Sequence, residues 1–146
     1  MSQSVPVGGA EGASGITPKE VWKGDGPTLY MSTPVLAGDL LFGVSTRGAG
    51  CFFCLDPAGG KTLWESDERQ GVGYTSILSA ADVLLFLTQD GRLFVVRASA
   101  KGYEPVARYK VSDRRTMAHP VFLGERILIR DDLTLRSLRI RPDGTP

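Results

Sequence analysis

Few residues in this sequence have types and spacings that could carry out chemistry. Cys51 and Cys54 form a C-x-x-C pair, which binds zinc or exchanges disulfides when it lies on a helix or a tight turn. The run Gly50-Cys51-Phe52-Phe53-Cys54-Leu55 predicts a strand instead, in which residues three apart point to opposite faces and lie too far apart to bridge. We therefore expect two reduced structural thiols and no metal.

The single histidine, His119, lies in Met117-Ala118-His119-Pro120, just before a predicted strand. A lone histidine is more often a hydrogen-bonded structural residue than a ligand-binding one. Asp131-Asp132 is the other candidate, and such a pair is more typical of a turn than of acid–base chemistry. The sequence therefore predicts no catalytic residue.

Composition sets broad limits on the class of protein. The chain has 146 residues, enough for one domain with a hydrophobic core, and a net charge of +1. This charge gives no reason to expect a nucleic acid as partner, and no apolar run of about 18 residues predicts a membrane span. Residues 1–19 are rich in Gly, Ser and Ala and lack the features of a signal peptide, so we expect a flexible lead-in.

An internal repeat indicates which strands hold these residues. Three similar segments follow one another: 34–42, 77–86 and 120–129. Their turn acids Asp39, Asp82 and Glu125 are 43 residues apart. A period in the low forties with several short strands per unit predicts an all-β fold, a β-propeller segment with one four-stranded antiparallel blade per repeat.

The repeat divides the chain into about two and a half to three blades. The propeller region is predicted at 20–141, with a C-terminal tail at 142–146. Its units are predicted at about 28–66, 72–111 and 116–140. The first two units each contain four predicted strands and the third contains three. An additional outer strand is predicted at 20–23, ahead of the first unit.

The most informative motif is Cys54-Leu55-Asp56-Pro57-Ala58-Gly59-Gly60-Lys61-Thr62-Leu63-Trp64. Asp56 can accept backbone N–H bonds within its own turn, and Gly60 can adopt a positive φ at no steric cost. Trp64 can bury a large area between neighbouring blades, while its indole N–H needs one acceptor. The motif therefore predicts a turn that is joined to an inter-blade anchor.

This motif resembles the tryptophan-docking motif of the pyrroloquinoline-quinone-like (PQQ-like) repeat family, in which a small residue, an Asp, a Gly-Lys turn and a Trp recur at this spacing. In that comparison Lys61 belongs to the Gly-Lys turn, and Trp22 matches the Trp of a preceding outer strand. Tyr109 takes the place of the Trp in the second unit, where Arg97 replaces the Asp. The resemblance covers roughly residues 20–141.

The resemblance implies a fold but leaves the function open, because the family includes quinoprotein dehydrogenases and the propeller lipoprotein of the outer-membrane β-barrel assembly machinery. The dehydrogenases require PQQ and Ca²⁺, and they tend to carry a disulfide between adjacent cysteines. This sequence has no adjacent cysteine pair and no Asn, a common Ca²⁺ ligand. We therefore expect a non-catalytic module without a cofactor; the alternative is a fragment of a PQQ- and calcium-dependent dehydrogenase.

First strands line the central channel of a propeller, so the predicted strand starts at Thr33, Ser76 and His119 are the candidate ligand-facing positions. Partners are expected to be other blades of the same propeller, a second copy of the chain, or a protein docked on the propeller face. The family resemblance implies a periplasmic or secreted location, although this chain carries no export signal of its own.

The two ends of the chain differ in charge and in strand content. Residues 1–70 carry five basic and eight acidic residues, whereas residues 108–141 carry nine basic and four acidic ones. The chain begins with an outer strand that it does not need and ends without one that it does. An open arc should expose apolar faces at both ends. The isolated chain is therefore predicted to aggregate or to associate head-to-tail.

Overall fold

Short runs of aromatic, β-branched and leucine residues alternate with Gly- and Asp-containing turns, and each run forms a strand. The computed structural model describes residues 18–67, 69 and 73–140. Within these residues the strands form three antiparallel sheets, with four, four and three strands. The all-β prediction is thereby confirmed.

We call the sheets blades 1, 2 and 3. Blade 1 contains β1 (Val35–Ala37), β2 (Leu40–Ser45), β3 (Cys51–Asp56) and β4 (Lys61–Glu65). Blade 2 contains β5 (Thr75–Ala80), β6 (Val83–Thr88), β7 (Arg92–Arg97) and β8 (Pro105–Lys110). Blade 3 contains β9 (Val121–Leu123), β10 (Arg126–Arg130) and β11 (Leu135–Arg139). Each strand pairs with the next along the chain, as in a meander.

The hydrophobic core lies between the blades. Side chains alternate between the two faces of each strand. In blade 2 both sets of alternating side chains are apolar. One face, with Leu84, Phe86 and Phe94, packs against Phe42 and Phe52 of blade 1. The other face, with Leu85, Leu87 and Leu93, packs against Ile127 and Ile129 of blade 3. The two interfaces are therefore built from alternate residues of the same strands.

The tight turn between the first two strands of each blade has a residue with positive φ at the same position. Gly38 has φ 59° in blade 1 and Gly124 has φ 61° in blade 3, but blade 2 places Ala81 there with φ 53°. Glycine adopts this conformation freely, whereas a Cβ makes it unfavourable. The first turn of blade 2 therefore carries backbone strain that the corresponding turns of blades 1 and 3 lack.

Residues 18–33 form no strand, so the outer strand predicted at 20–23 is wrong for this chain on its own. A strand needs a neighbouring backbone with which to pair, and none lies beside this segment among the described residues. The segment instead covers the outer face of blade 1. The Thr28 carbonyl accepts a hydrogen bond from the Thr46 N–H at 2.8 Å, and Gly26 approaches Leu55.

This covering changes the expectation that both ends would expose an apolar face. Phe53 and Leu55 point away from blade 2, yet both are buried. At the other end of the arc, Val121, Leu123 and Leu135 of blade 3 are about half exposed or more. The apolar outer face of blade 1 is therefore covered, whereas that of blade 3 is exposed.

Candidate functional site at the blade interfaces

Trp64 lies in β4 and closes the outer part of the interface between blades 1 and 2. Its Nε1 donates a hydrogen bond to the Ser99 carbonyl of blade 2 at 2.8 Å. Its ring lies 6.1 Å from the rings of both Phe42 and Tyr103, measured between centroids. The indole thus joins an apolar contact to a polar one, as a partly buried Trp commonly does.

Trp22 makes an equivalent contact one blade earlier. Its Nε1 donates to the Pro57 carbonyl at 2.7 Å, and each of the two indoles reaches a carbonyl 35 residues further along the chain. Gly60 has φ 72°, and a Cβ at this position would overlap the Trp22 ring. Glycine is therefore required here both by the backbone conformation and by the approach of the indole.

The turn that receives Trp22 is organised by Asp56. Its Oδ1 accepts the Ala58 N–H at 2.9 Å, and its carbonyl accepts the Gly60 N–H at 2.8 Å. These are the bonds within the turn that an Asp at this position is expected to make. Lys61 begins β4 and lies opposite Asp56 in the strand register.

Tyr109 does not occupy the position that corresponds to Trp64. Trp64 pairs with Cys54 across β3 and β4, and the corresponding pair across β7 and β8 is Val95 with Ala107. A register shift after Cys54 recurs after Val95, which supports this alignment. The loop before β8 is longer than the turn before β4, and this difference displaced the sequence alignment. The second unit therefore has alanine where the first has tryptophan.

The three candidate channel positions have different environments. Ser76 lies in β5, is buried, and donates a hydrogen bond to the Tyr74 hydroxyl at 2.9 Å. Thr33 and His119 are exposed and precede the first strands of blades 1 and 3. No hydrogen bond or ion pair joins these three side chains among the described residues. Their role as a ligand ring remains a proposal.

A hydrogen bond that residue types alone did not reveal links the starts of the first two blades. Ser32 Oγ accepts the Thr75 N–H at 3.1 Å across the first interface, and the two residues are 43 positions apart. Ser32 and Thr75 occupy the same place in successive repeats. The repeat length was therefore a signal that could have found this bond, because a polar residue at that place can reach its own equivalent in the next blade.

The two cysteines are separate, buried thiols. Cys54 packs in the first inter-blade core, and burial raises the pKa of its thiol from 9.0 to about 11. Burial, together with the nearby Glu65 carboxylate, also raises the pKa of Cys51. Both thiols are therefore protonated at neutral pH and poorly reactive. In the described ranges, no group of three or more His, Cys, Asp or Glu residues could hold a metal ion.

The exposed side of blade 3, which we call the end face, combines apolar and basic residues. Ile127 and Ile129 point toward blade 2, so the residues that alternate with them point away. Strand pairing places the end-face residues as follows: Val121, Leu123, Arg126, Leu128, Arg130, Leu135, Ser137 and Arg139. Three arginines and no acid lie on this face, so it is suited to an apolar surface with an acidic rim.

Solved structures show which fold this arrangement belongs to. BamB from Moraxella catarrhalis, a PQQ-like β-propeller lipoprotein, aligns with a TM-score of 0.57 at 20% identity over 73% of this chain. The computationally designed Ika4 protein aligns with a TM-score of 0.55 at 8% identity, over 86% of this chain and 100% of its own. The present chain covers 32% of the BamB chain.

Sequence comparisons add nothing to this result: no family model matches, and no curated protein is significantly similar. No helix in the described ranges has the length and apolar character needed to cross a bilayer. The three stacked antiparallel sheets and the likeness to BamB nevertheless agree with the repeat period. The chain is folded as a segment of a β-propeller.

Proposed function

We propose that this chain is a non-catalytic propeller module of the PQQ-like repeat type, which associates with further blades and presents the resulting surface to a protein or a ligand. The observation that carries the proposal is the repeated tryptophan contact. Trp64 belongs to the outer strand of blade 1 and bonds to a loop of blade 2. Trp22 bonds in the same way to a loop of blade 1.

Residues 18–23 accordingly behave as the outer strand of a blade that precedes blade 1. Their tryptophan is already seated on blade 1, while their backbone has no strand partner among the described residues. A segment that is anchored by one side chain and whose backbone is unpaired can add as a strand to the edge of a sheet. The sheet it would complete is a three-stranded blade, with its outer edge free.

Blade 3 is such a sheet. It contains three strands in the described part of the chain, and β11 pairs with β10 on one side only. The end face next to this edge leaves Leu135 65% exposed. Exposed apolar residues beside an unpaired edge favour association with another blade. The acidic N-terminal half of the chain would meet the basic end face in a head-to-tail arrangement.

The blade that meets the end face comes either from a second copy or from the same, longer polypeptide. A second copy supplies residues 18–23 for the outer strand of blade 3, and its own blade 1 packs next to the end face. The likeness to an exported lipoprotein favours a periplasmic or secreted location, which stays part of the proposal.

Analytical ultracentrifugation of the purified chain over a range of concentrations tests the proposal. We expect species larger than the 15.7 kDa monomer, in a proportion that rises with concentration. Leu135→Asp should shift the population to monomer by adding a charge to the apolar end face. Leu133→Asp is the matched control, because Leu133 is also 65% exposed but lies in the turn between β10 and β11. A monodisperse wild-type monomer that melts cooperatively would contradict the proposal.

A further inference from the structure

The outer face of blade 1 has the residue pattern of a surface on which another blade packs. The face of blade 2 that packs against blade 1 contains four apolar residues from two paired strands: Leu84, Phe86, Phe94 and Val96. The same register in blade 1 places four residues on its outer face: Leu41, Gly43, Phe53 and Leu55. The Phe53 ring lies over Gly43, where a Cβ would overlap it. This face is therefore apolar along two paired strands, as an inter-blade surface is.

A segment of the chain covers this face in place of a blade. We call residues 24–31 the strap. Gly26 approaches Leu55, and the Leu29 side chain approaches Gly43. Under this cover Phe53 is only 2% exposed. The strap therefore occupies the position in which a neighbouring blade would make contact.

The strap is held by few contacts of its own. The Thr28 carbonyl accepts the Thr46 N–H at 2.8 Å, and the hydroxyls of these two residues are also 2.8 Å apart. Tyr30 and Met31 are 72% and 53% exposed, so they pack little against blade 1. A segment that hides an apolar face while leaving its own large side chains in solvent is weakly held and can open locally.

The first inter-blade junction shows where such a segment lies when a blade precedes it. Ser66 follows Trp64 at the distance at which Gly24 follows Trp22. Ser66 stays on its own blade, where its N–H donates to the Phe52 carbonyl at 2.8 Å and its hydroxyl accepts the Phe52 N–H at 2.9 Å. Gly24 has no such blade beside it in the described part of the chain, and the strap lies on blade 1 instead.

The end face of blade 3 is complementary to the surface beneath the strap. It presents exposed Val121, Leu123 and Leu135 together with three arginines. Glu65 pairs with Phe53 across β3 and β4, so its side chain points to the outer face of blade 1. Apolar residues on both surfaces, with an acid on one and arginines on the other, favour their contact.

We propose that the outer face of blade 1 is a masked docking surface for the end face of a second copy, and that the strap leaves this surface when the copy binds. This inference rests on the proposed association and adds what controls it. Residues 18–23 would join blade 3 of the second copy while the strap moves off blade 1. The strap thereby competes with association, because strap and end face cannot both contact Phe53 and Leu55.

A disulfide that locks the strap tests this proposal on the full chain. A Cβ at Gly26 would lie 3.5 Å from Oγ1 of Thr62 in β4, so Gly26→Cys combined with Thr62→Cys brings two thiols within bridging distance. In sedimentation over a range of concentrations, the oxidised variant should associate at least about tenfold more weakly than the same variant after reduction. The reduced form is the matched control because its sequence is identical, and Cys51 and Cys54 are buried.

Loosening the strap is the second arm of the test. Leu29→Ser removes the apolar side chain that approaches Gly43 and should strengthen association several-fold. Tyr30→Ser changes the next residue, which is 72% exposed, and should leave association unchanged. Hydrogen exchange of the Thr46 N–H, which bonds to the Thr28 carbonyl, should be faster in Leu29→Ser than in the wild type.

The outcomes separate this proposal from the proposed association. If the wild type associates and the oxidised and reduced variants associate equally, the strap does not mask the surface and the association stands without it. If the wild type is monomeric but Leu29→Ser associates, the masking is supported and spontaneous association fails. The masking is overturned if neither of them associates, or if Leu29→Ser associates more weakly than the wild type.

Discussion

At the scale of single residues, two tryptophans define how successive blades are joined. Trp64 is surrounded by aromatic rings in the first inter-blade core, whereas Trp22 is 41% exposed and lies on the turn of blade 1. Each uses its indole N–H on a backbone carbonyl of the following unit. The two contacts have the same geometry but different burial, so their contributions to stability should differ.

Replacing Trp64 with Ala should lower the free energy of unfolding by about 3 kcal/mol, the lower end of the usual cost for a core aromatic side chain, because Trp64 is partly buried. Trp22→Ala should cost less, because a larger part of its ring is exposed. Urea unfolding followed by circular dichroism measures both. A loss below about 1 kcal/mol for Trp64→Ala would show that this residue does not anchor the interface.

The cysteines lead to a redox prediction and a pH prediction. Thiol titration of the unfolded protein without reductant should find two free thiols, since Cys51 and Cys54 are unbridged.

The pKa of Cys54 is raised in the folded chain, so folding favours the protonated thiol. Stability should therefore fall as pH rises from 9.0 to about 11. Cys54→Ala should lose less stability over that range; an equal loss would contradict the buried-thiol assignment.

At the scale of the strands and turns, Ala81 occupies a turn position with positive φ at which blades 1 and 3 have glycine. Ala81→Gly should raise the free energy of unfolding by about 0.5–1 kcal/mol, because glycine adopts the positive φ without strain. Gly38→Ala is the reciprocal variant and should lower it by a similar amount. A Cβ at Gly38 meets nothing within 4 Å, so only the backbone conformation is tested. Thermal melting that ranks these variants in the opposite order would refute the explanation.

The turn between β10 and β11 depends on a buried carboxylate. Asp131 accepts hydrogen bonds from the Leu133 N–H, the Ser112 hydroxyl, and both the N–H and the hydroxyl of Thr134. These bonds favour the charged form and hold the Asp131 pKa well below its ordinary value of 3.8. The stabilisation is therefore present above that value and is lost as the pH falls through the folded pKa.

Asp131→Asn should consequently be less stable than the wild type at pH 7, with the difference shrinking as the pH is lowered below 3.8. Asp132→Asn, the exposed neighbour, should show little effect at either pH. Urea midpoints measured across the acid range compare the two variants. A difference for Asp131→Asn that is independent of pH would contradict the carboxylate's role.

The strands were predictable from the sequence, but part of their pairing was not. Alternating apolar residues and Gly or Asp turns predicted four strands in each of the first two units and three in the third, as the structure shows. The alignment of Tyr109 with Trp64 was wrong because loop length is not visible in residue type, and only the pairing of Val95 with Ala107 corrects it. The strand at 20–23 was predicted from local pattern, whereas strand formation requires a partner.

Of the candidate site, the local part was predictable and the long-range part was not. The turn bonds of Asp56 and the positive φ of Gly60 follow from residue type alone. The acceptors of the two indoles, Pro57 and Ser99, are backbone carbonyls, which every residue has. The strap over blade 1 was not predictable either, because its contacts with Thr46 and Leu55 join residues that are well separated in the sequence.

At the scale of the whole molecule, the two ends of the arc differ in how well their apolar faces are covered. Residues 18–33 bury the outer face of blade 1, while the end face of blade 3 remains exposed. Repeat units cannot bury such a face alone. The asymmetry gives association a direction. Blade 3 has three strands where the other described blades have four, and residues 18–23 have no strand partner among the described residues.

This directionality predicts the behaviour of two copies joined in one polypeptide. The tandem protein would contain six blades, within the range of about four to eight for closed propellers. The segment that precedes blade 1 of the second copy could complete blade 3 of the first, and the first copy's segment could complete the last blade. We expect a tandem protein that sediments as a monomer and melts cooperatively at a higher temperature than the single chain.

Variants of the tandem protein distinguish ring closure from simple linkage. Trp22→Ala in the first copy alone should lower the melting temperature, because that indole orders the segment that closes the ring. The same change in the second copy should act similarly, since both junctions are equivalent in a closed ring. A tandem protein that melts at the temperature of the single chain, or that still associates with increasing concentration, would show that the arcs do not close on each other.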